Sequence, residues 1–324
     1  MSLHPAIANV RRAVRASLAD IPPGDTVVVA CSGGPDSLAL LSAAVFEGHK
    51  MGLRIIGATV DHGLQEGSVE HAQHVVEQMA EMGVDETFTA TVVVESEGLG
   101  PEAAARRARY AVFDQIVEAL GATVVLLGHT RDDQAETVLL GLTRGSGGRS
   151  IAGMRRAYEH YRRPLIDVSR VDTLTACQVE GLDYWVDPHN NDPGFTRVRV
   201  RMNVMPLLED ELGPGVAETL ARTADQLRED MEYLDDVAEE AYRAASGSEP
   251  GLAVEGLQKL ATPIRRRVLR LAALAAGAPG GELFHEHVVA LDSLVTDWHG
   301  QRWIDLPGHL RGVRREGRVL LVPG

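Results

Sequence analysis

The chain has 324 residues, 44% of them hydrophobic, enough for one large packed domain and a smaller second one. A formal net charge of −14 speaks against a purely electrostatic grip on a polyanion, and no apolar run reaches the roughly 20 residues that span a bilayer. Two distant cysteines, Cys31 and Cys177, make a disulfide framework unexpected and exclude a zinc site built on paired cysteines. The start, Met-Ser-Leu-His and then an arginine-bearing helical pattern, does not read as a signal peptide, so the protein is expected in the cytoplasm.

Residues 26–30, 54–60, 88–94 and 122–128 read as strands rich in β-branched side chains. Between them, residues 36–47, 68–82 and 102–120 carry apolar residues at helical spacing, with Gly48, Gly83 and Gly121 at their ends. Strands alternating with crossover helices predict an α/β fold, a doubly wound parallel sheet covered on both faces. Ligands gather at the carboxyl ends of such strands, which puts Cys31-Ser32, Asp61-His62, Glu95 and Gly128-His129 along one edge. From about Pro206 the strand signal fades. Residues 218–245 read as one long helix, apolar at Leu220, Ala224, Leu227, Met231, Leu234, Val237 and Ala241 and acidic on its other face. After a break at 246–251, two more helices are expected at 263–276 and 283–296, then short strands with glycine turns over 303–322. The expected division is a first domain at 1–212 and a smaller, mostly helical one at 213–324.

Charge is unevenly spread. Acidic residues crowd the segment 209–240, whereas arginines cluster between Arg144 and Arg170, at Arg197, Arg199 and Arg201, and at Arg265, Arg266, Arg267 and Arg270. A polyanion could use such patches despite the overall sign, and ordinary solvated arginines are the alternative reading.

The densest signal is Ser32-Gly33-Gly34-Pro35-Asp36-Ser37, placed after a strand and opening a helix. Adjacent glycines let the backbone approach an anion, and the first amides of the helix point at it, so phosphate is the natural guest. No lysine stands beside the hydroxyl residue, which excludes the kinase-type loop. The residues resemble the PP-loop, Ser-Gly-Gly-Xaa-Asp-Ser, which in that superfamily holds the pyrophosphate end of ATP. A loop that holds pyrophosphate points to cleavage between the α and β phosphates and an adenylate product. Amides, Mg2+ and basic side chains would stabilise the leaving group, with Asp36 the side chain best placed to meet the metal or orient Ser37. A glycine turn capped by Ser32 and Asp36 is the plainer alternative.

A second segment, Gly128-His129-Thr130-Arg131-Asp132-Asp133-Gln134-Ala135-Glu136-Thr137, also follows a strand and starts a helix. Asp133 and Glu136 are three residues apart, share a helix face and could grip a cation together. An N-terminal cap made by Thr130 and Asp133 explains the first carboxylates equally well.

Taken in order, the loop at 32–37, Val60-Asp61-His62-Gly63, the stretch 102–110, the Asp-Asp-Gln-Ala-Glu-Thr run and Arg144-Gly145-Ser146-Gly147 are similar to the tRNA(Ile)-lysidine synthases. So are Arg163-Pro164-Leu165, Asp187-Pro188 with Asn190-Asn191, and the Arg197 to Arg201 run followed by Pro206. The resemblance covers about the first two thirds of the chain. It implies ATP and Mg2+ as cofactors, and tRNA(Ile) with a CAU anticodon and free L-lysine as partners, without a membrane. It implies adenylation of C2 of the wobble cytidine, followed by displacement of AMP by the lysine ε-amine. By the same resemblance Asp133 and Glu136 would bind lysine, His129 would lie near the adenylate, and Asp61 and His62 would join the ATP site. Arg106, Arg109 and Tyr110 would hold ATP or tRNA, a salt-bridged helix face being the alternative. Arg197, Arg199 and Arg201 would touch ATP phosphate or the tRNA backbone, although alone the run reads as one face of an edge strand or extended loop. Two departures stand out: the family's His-His pair is His129-Thr130 here, and the Arg-Asn start of the arginine motif is Arg197-Val198. The chain is expected to lack the further C-terminal domain of many members, leaving the arginines at 265–270 as the expected tRNA surface and a homodimer allowed. The rival reading is a tRNA thiolase, which typically needs a cysteine pair or a nucleophilic thiol.

Overall fold

The computed structural model describes residues 3–61, 67–92, 101–143, 147–187, 191–247 and 250–324. Its first helix, α1 (Pro5–Leu18), has proline in its opening turn, where the missing N–H costs nothing. The run Thr-Val-Val-Val-Ala then forms β1 (Thr26–Ala30). Next come α2 (Pro35–Lys50), β2 (Arg54–Asp61), α3 (Ser68–Glu81), β3 (Glu86–Thr91), α4 (Pro101–Leu120), β4 (Val124–Leu126) and α5 (Arg131–Thr143). A one-turn helix, α6 (Gly148–Ile151), precedes a two-residue hairpin of β5 (Ala157–Tyr158) and β6 (Tyr161–Arg162). Beyond it lie α7 (Arg170–Glu180), α8 (Thr196–Arg199), a π-helical turn at Val200–Val204, α9 (Met205–Leu212) and the 30-residue α10 (Val216–Ala245).

The chain divides into two compact units, Met1–Arg144 with Gly153–Ala224, and Gly145–Ala152 with Asp225–Gly324. In the first, six strands run in the order β3-β2-β1-β4-β6-β5, all parallel except the edge strand β5. The expected doubly wound sheet is present, and β1 shows why. Val27 and Val29 face one layer, with Val14, Leu38, Leu41 and Leu126, while Val28 faces the other, with Phe113, Ile116 and Val125. All three valines are fully buried, at about 1.5 kcal/mol or more of transfer free energy each. A solvated face would demand exposed polar residues at alternate positions, and the one polar residue of β1, Thr26, is itself buried.

The second unit continues with β7 (Leu252–Ala253), α11 (Val254–Lys259), α12 (Thr262–Ala275), α13 (His285–Thr296), β8 (Ile304–Leu306), β9 (Leu310–Arg315) and β10 (Arg318–Pro323). Its four strands form an antiparallel sheet, β7-β10-β9-β8, and Leu257, Val268, Leu269, Leu291, Leu294 and Val319 make its core. The arginine cluster on α12 is mostly internal wiring, not the free basic surface that its composition suggests. Arg265 is buried against Asp292 at 2.6 Å, Arg266 meets the same carboxylate at 2.9 Å, and Arg267 pairs with Asp235 at 2.9 Å. No helix among the described residues is long and apolar enough to cross a membrane.

Candidate active site

The exit of β1 builds the loop. The Cys31 amide donates to the Ala58 carbonyl at 2.8 Å, so sheet pairing persists one residue beyond β1. Gly33 then turns with φ +76°, and Gly34, at φ −78°, is the N-cap of α2 with Pro35 in the first turn. A Cβ on Gly33 would lie 2.7 Å from Val75 Cγ2, so both its conformation and its surroundings require glycine. The Ser37 hydroxyl donates to the Gly34 carbonyl at 2.8 Å and accepts the Ser32 amide at 3.2 Å, closing the loop on itself. The first amides of α2 have no intrahelical acceptor and sit at the positive end of the helix dipole. The loop is therefore shaped so that it could receive an anion.

Strand order reverses between β1 and β4: from β1 the chain builds outward through β2 and β3, and from β4 the sheet grows the other way. A doubly wound sheet opens its binding crevice at that switch point. Here the two strand exits touch. A Cβ on Gly128 would lie 3.2 Å from the Asp36 carbonyl group and from Ser37 Cα, so the backbone leaving β4 runs against the first turn of α2. The start of α5 is thereby set beside the loop.

Three carboxylates meet there. Asp36 receives the Thr173 hydroxyl and lies 3.7 Å from Arg170; burial, and then the neighbouring charge of Asp133, push its pKa up to about 6. Asp133 uses one oxygen as a cap, taking the Thr130 amide at 2.9 Å and the Thr130 hydroxyl at 3.0 Å. Its other oxygen accepts from Arg170 at 2.8 Å and Arg201 at 3.3 Å. Glu136, buried, is held by Arg170 at 3.0 Å, Arg197 at 2.9 Å and Arg201 at 2.7 Å. Burial alone would raise both acids, yet the surrounding guanidiniums outweigh it: Asp133 is held down at about 2, and Glu136 is also lowered. The capping reading of Asp133 thus holds, and its second oxygen faces the arginines of the charged cluster. Thr130 makes the reciprocal cap, its hydroxyl accepting the Asp133 amide at 3.4 Å.

The arginine run is helical, which corrects its reading as an edge strand or extended loop. Helical spacing puts Arg197 and Arg201, four residues apart, on one face toward Glu136. Arg199 points elsewhere and donates to the carbonyls of Pro193 at 2.7 Å and Gly194 at 3.0 Å. Alternation along a strand would have kept all three together.

Residues 7–208 match the PP-loop domain family and residues 252–320 match the TilS substrate binding domain. The tRNA(Ile)-lysidine synthase of Thermobifida fusca is 51% identical over 317 residues, covering 98% of both chains. That of Streptomyces coelicolor is 47% identical over 353 residues and covers 100% of each. The chain belongs to the tRNA(Ile)-lysidine synthase family. It is therefore an ATP-using ligase of the PP-loop class. A solved U34-tRNA thiolase, NcsA of Methanococcus maripaludis, shares the fold at TM-score 0.59 and 19% identity, over 69% of this chain and 80% of that one.

The remaining predicted residues fall into place unevenly. Asp61 ends β2 and is buried, whereas His62 and Glu95 lie outside the described residues. His129 follows β4; burial drives its pKa down to about 3, and its Nδ1 is buried with no hydrogen-bond partner among the described residues. It is a neutral imidazole. Arg106 and Arg109 are exposed on α4, where Arg106 donates to the Tyr110 hydroxyl at 3.2 Å. Tyr110 packs edge-on to Tyr161 with ring centroids 4.8 Å apart and accepts from buried Arg163 at 3.2 Å. Both thiols are buried, and burial raises the pKa of each, that of Cys177 to about 12. Sequence reasoning counted Arg170 only within a basic cluster and missed Thr173. The usable signal was Ser169, the N-cap of α7, whose hydroxyl accepts the Asp172 amide at 3.1 Å and so fixes where Arg170 and Thr173 project.

Proposed function

We propose that this chain makes lysidine in tRNA(Ile). The C2 oxygen of the wobble cytidine in the CAU anticodon attacks the α-phosphate of ATP and pyrophosphate leaves. The deprotonated ε-amine of free L-lysine then attacks C2 and expels AMP, which keeps the C2 oxygen. The modified tRNA reads AUA in place of AUG. The observation that carries this reading is the meeting of Asp133 and Glu136 with the Ser32–Ser37 loop at one switch point, in a chain similar along its length to named lysidine synthases.

The loop amides with Ser32 and Ser37 would hold the β and γ phosphates, and Asp61 and His62 would complete the ATP site. Mg2+ suits Asp36, which lies in the first turn of α2 beside the loop, because Mg2+ is commonly held by one or two carboxylates together with substrate phosphates. Bound there, it would neutralise charge on the leaving pyrophosphate. Neutral His129 would hydrogen-bond the adenylate without adding charge. Asp133 and Glu136 would take the lysine ammonium and keep the amine near the adenylated base. Their oxygens already accept from Arg170, Arg197 and Arg201, so the ammonium must replace a guanidinium. ATP or tRNA phosphates would draw Arg197 and Arg201 away, Arg170 remaining to orient the acids.

Residues 1–212 would carry catalysis and 213–324 tRNA binding. Within the latter, Trp303 is 37% exposed between Arg302 and Arg311, whose guanidinium carbons lie 5.3 and 4.6 Å from its ring centroid. Such an indole offers a stacking face for a base, with Arg302 beside it as a cation for phosphate and Arg311 held at 3.0 Å by Asp305, a better fit to tRNA than the paired arginines of α12. The substrates place the reaction in the cytoplasm, and sedimentation of the free chain would decide whether it is a homodimer. Labelled lysine supplied with ATP should enter the CAU-anticodon tRNA(Ile) and not tRNA(Met) with the same anticodon. Label in neither would overturn the reading in favour of a thiolase, which the two buried thiols already disfavour.

A further inference from the structure

In a trans peptide unit the carbonyl of one residue and the amide of the next point in opposite directions. Whatever fixes a carbonyl in the phosphate loop therefore aims the following N–H. Two such carbonyls are held from outside the loop. His71 on α3 lies with Nε2 3.1 Å from the Ser32 carbonyl oxygen, and the Trp185 amide donates to the Gly33 carbonyl at 2.9 Å. The His71 contact requires its proton on Nε2, since the carbonyl can only accept. The two holders support each other, with their rings 4.0 Å apart between centroids and tilted by 35°. The segment that carries Trp185 is also tied to α3, where Gln78 donates to the Asp183 carbonyl. His71, Val75 and Gln78 recur at helical spacing, so one face of α3 lies along the outside of the loop, and Val75 is the side chain nearest a Cβ built on Gly33.

We infer that His71 and Trp185 are positioning residues that brace the phosphate loop, holding the Ser32 and Gly33 carbonyls outward so that the amides of Gly33 and Gly34 turn away from α3. Neither side chain touches the nucleotide in this account. Unbraced, a Gly-Gly peptide has little to stop it from flipping, because glycine adopts both signs of φ with similar ease. A flipped unit would present a carbonyl oxygen where a phosphate oxygen must lie. The brace rests on the pyrophosphate reading of the loop.

The test uses the full chain and inorganic pyrophosphate as a competitive probe against ATP. His71→Ala should raise both the KM for ATP and the Ki for pyrophosphate about tenfold, the effect of one lost hydrogen bond, with the KM for lysine unchanged. His71→Gln, which restores an N–H at similar reach, should return both to within about threefold of wild type. An alanine variant that binds pyrophosphate like wild type, or a glutamine variant as weak as alanine, would overturn the brace. If the alanine variant melts early, Trp185→Leu reads the same effect, because it keeps the amide but removes the ring that seats His71. Its pyrophosphate Ki should rise several-fold, and an unchanged Ki overturns the inference. Wild-type enzyme that binds no pyrophosphate would sink the loop reading and the brace together, a result distinct from wild-type binding with unaffected variants.

Discussion

A carboxylate that ionises near pH 6 changes character inside the range in which the enzyme can be assayed, and Asp36 is such a group because of burial and the charge of Asp133 beside it. The free enzyme governs kcat/KM, so kcat/KM for ATP should fall about tenfold per pH unit below about 6, and a flat profile down to pH 5 would contradict the role given to Asp36. Stability responds with the opposite sign. The folded pKa lies above the unfolded value of about 3.9, so the fold favours the neutral acid; that contribution is fully present below about 3.9 and is lost as pH rises through about 6. Asp36→Asn should therefore abolish pyrophosphate release while raising Tm at neutral pH more than at pH 4. Asp133 behaves conversely: its folded pKa of about 2 lies below the unfolded value, so its contribution is present above about 3.9 and disappears as pH falls toward 2. Glu136 sits among three guanidiniums. Removing it as Glu136→Ala leaves them to share Asp133, at a cost on the order of 3 kcal/mol, so the variant should lose both lysine transfer and several degrees of Tm. An inactive variant that melts like wild type would refute the structural half of that statement.

At the scale of elements, arginines on helices decide function by their partners and not by their number. Arg265, Arg266 and Arg267 are spent on Asp292 and Asp235, and Arg311 on Asp305, whereas Trp303 at the entrance to β8 keeps an exposed ring beside Arg302. Trp303→Ala should raise the KM for tRNA about tenfold, within the range of one lost base stack, and leave the KM values for ATP and lysine alone; an unchanged tRNA KM would move the contact elsewhere. The contrast marks what the sequence could tell. The strands β1, β2 and β4 were legible because a strand buried on both faces reads as a nearly continuous apolar run, and the loop at 32–37 because its residue types are those that would suit an anion at a helix start. The hairpin of β5 and β6 was not, since two-residue strands leave no periodicity to read. Arg197 and Arg201 were found but misplaced, because alternate arginines fit a strand face, and only packing against Glu136 selects the helix. Arg170 and Thr173 were hidden by distance: they reach Asp36 across more than a hundred residues of sequence, and no local pattern records such a pairing.

For the molecule as a whole, the phosphate loop and the carboxylate pair belong to the larger unit, while the exposed tryptophan belongs to the smaller one. The net charge of −14 is no obstacle to a tRNA substrate, because the acids at the switch point are matched by arginines and the excess lies elsewhere, much of it along α10. The central claim is that ATP is cleaved between its α and β phosphates and that lysine then replaces AMP on the tRNA base. Its most direct measurement is AMP release from α-labelled ATP, with and without lysine, in the presence of the CAU-anticodon tRNA(Ile). The account predicts AMP formation that depends on both lysine and that tRNA, and equals lysine incorporated mole for mole. Release of ADP, or AMP formation indifferent to lysine while the tRNA acquires no label from it, would contradict it.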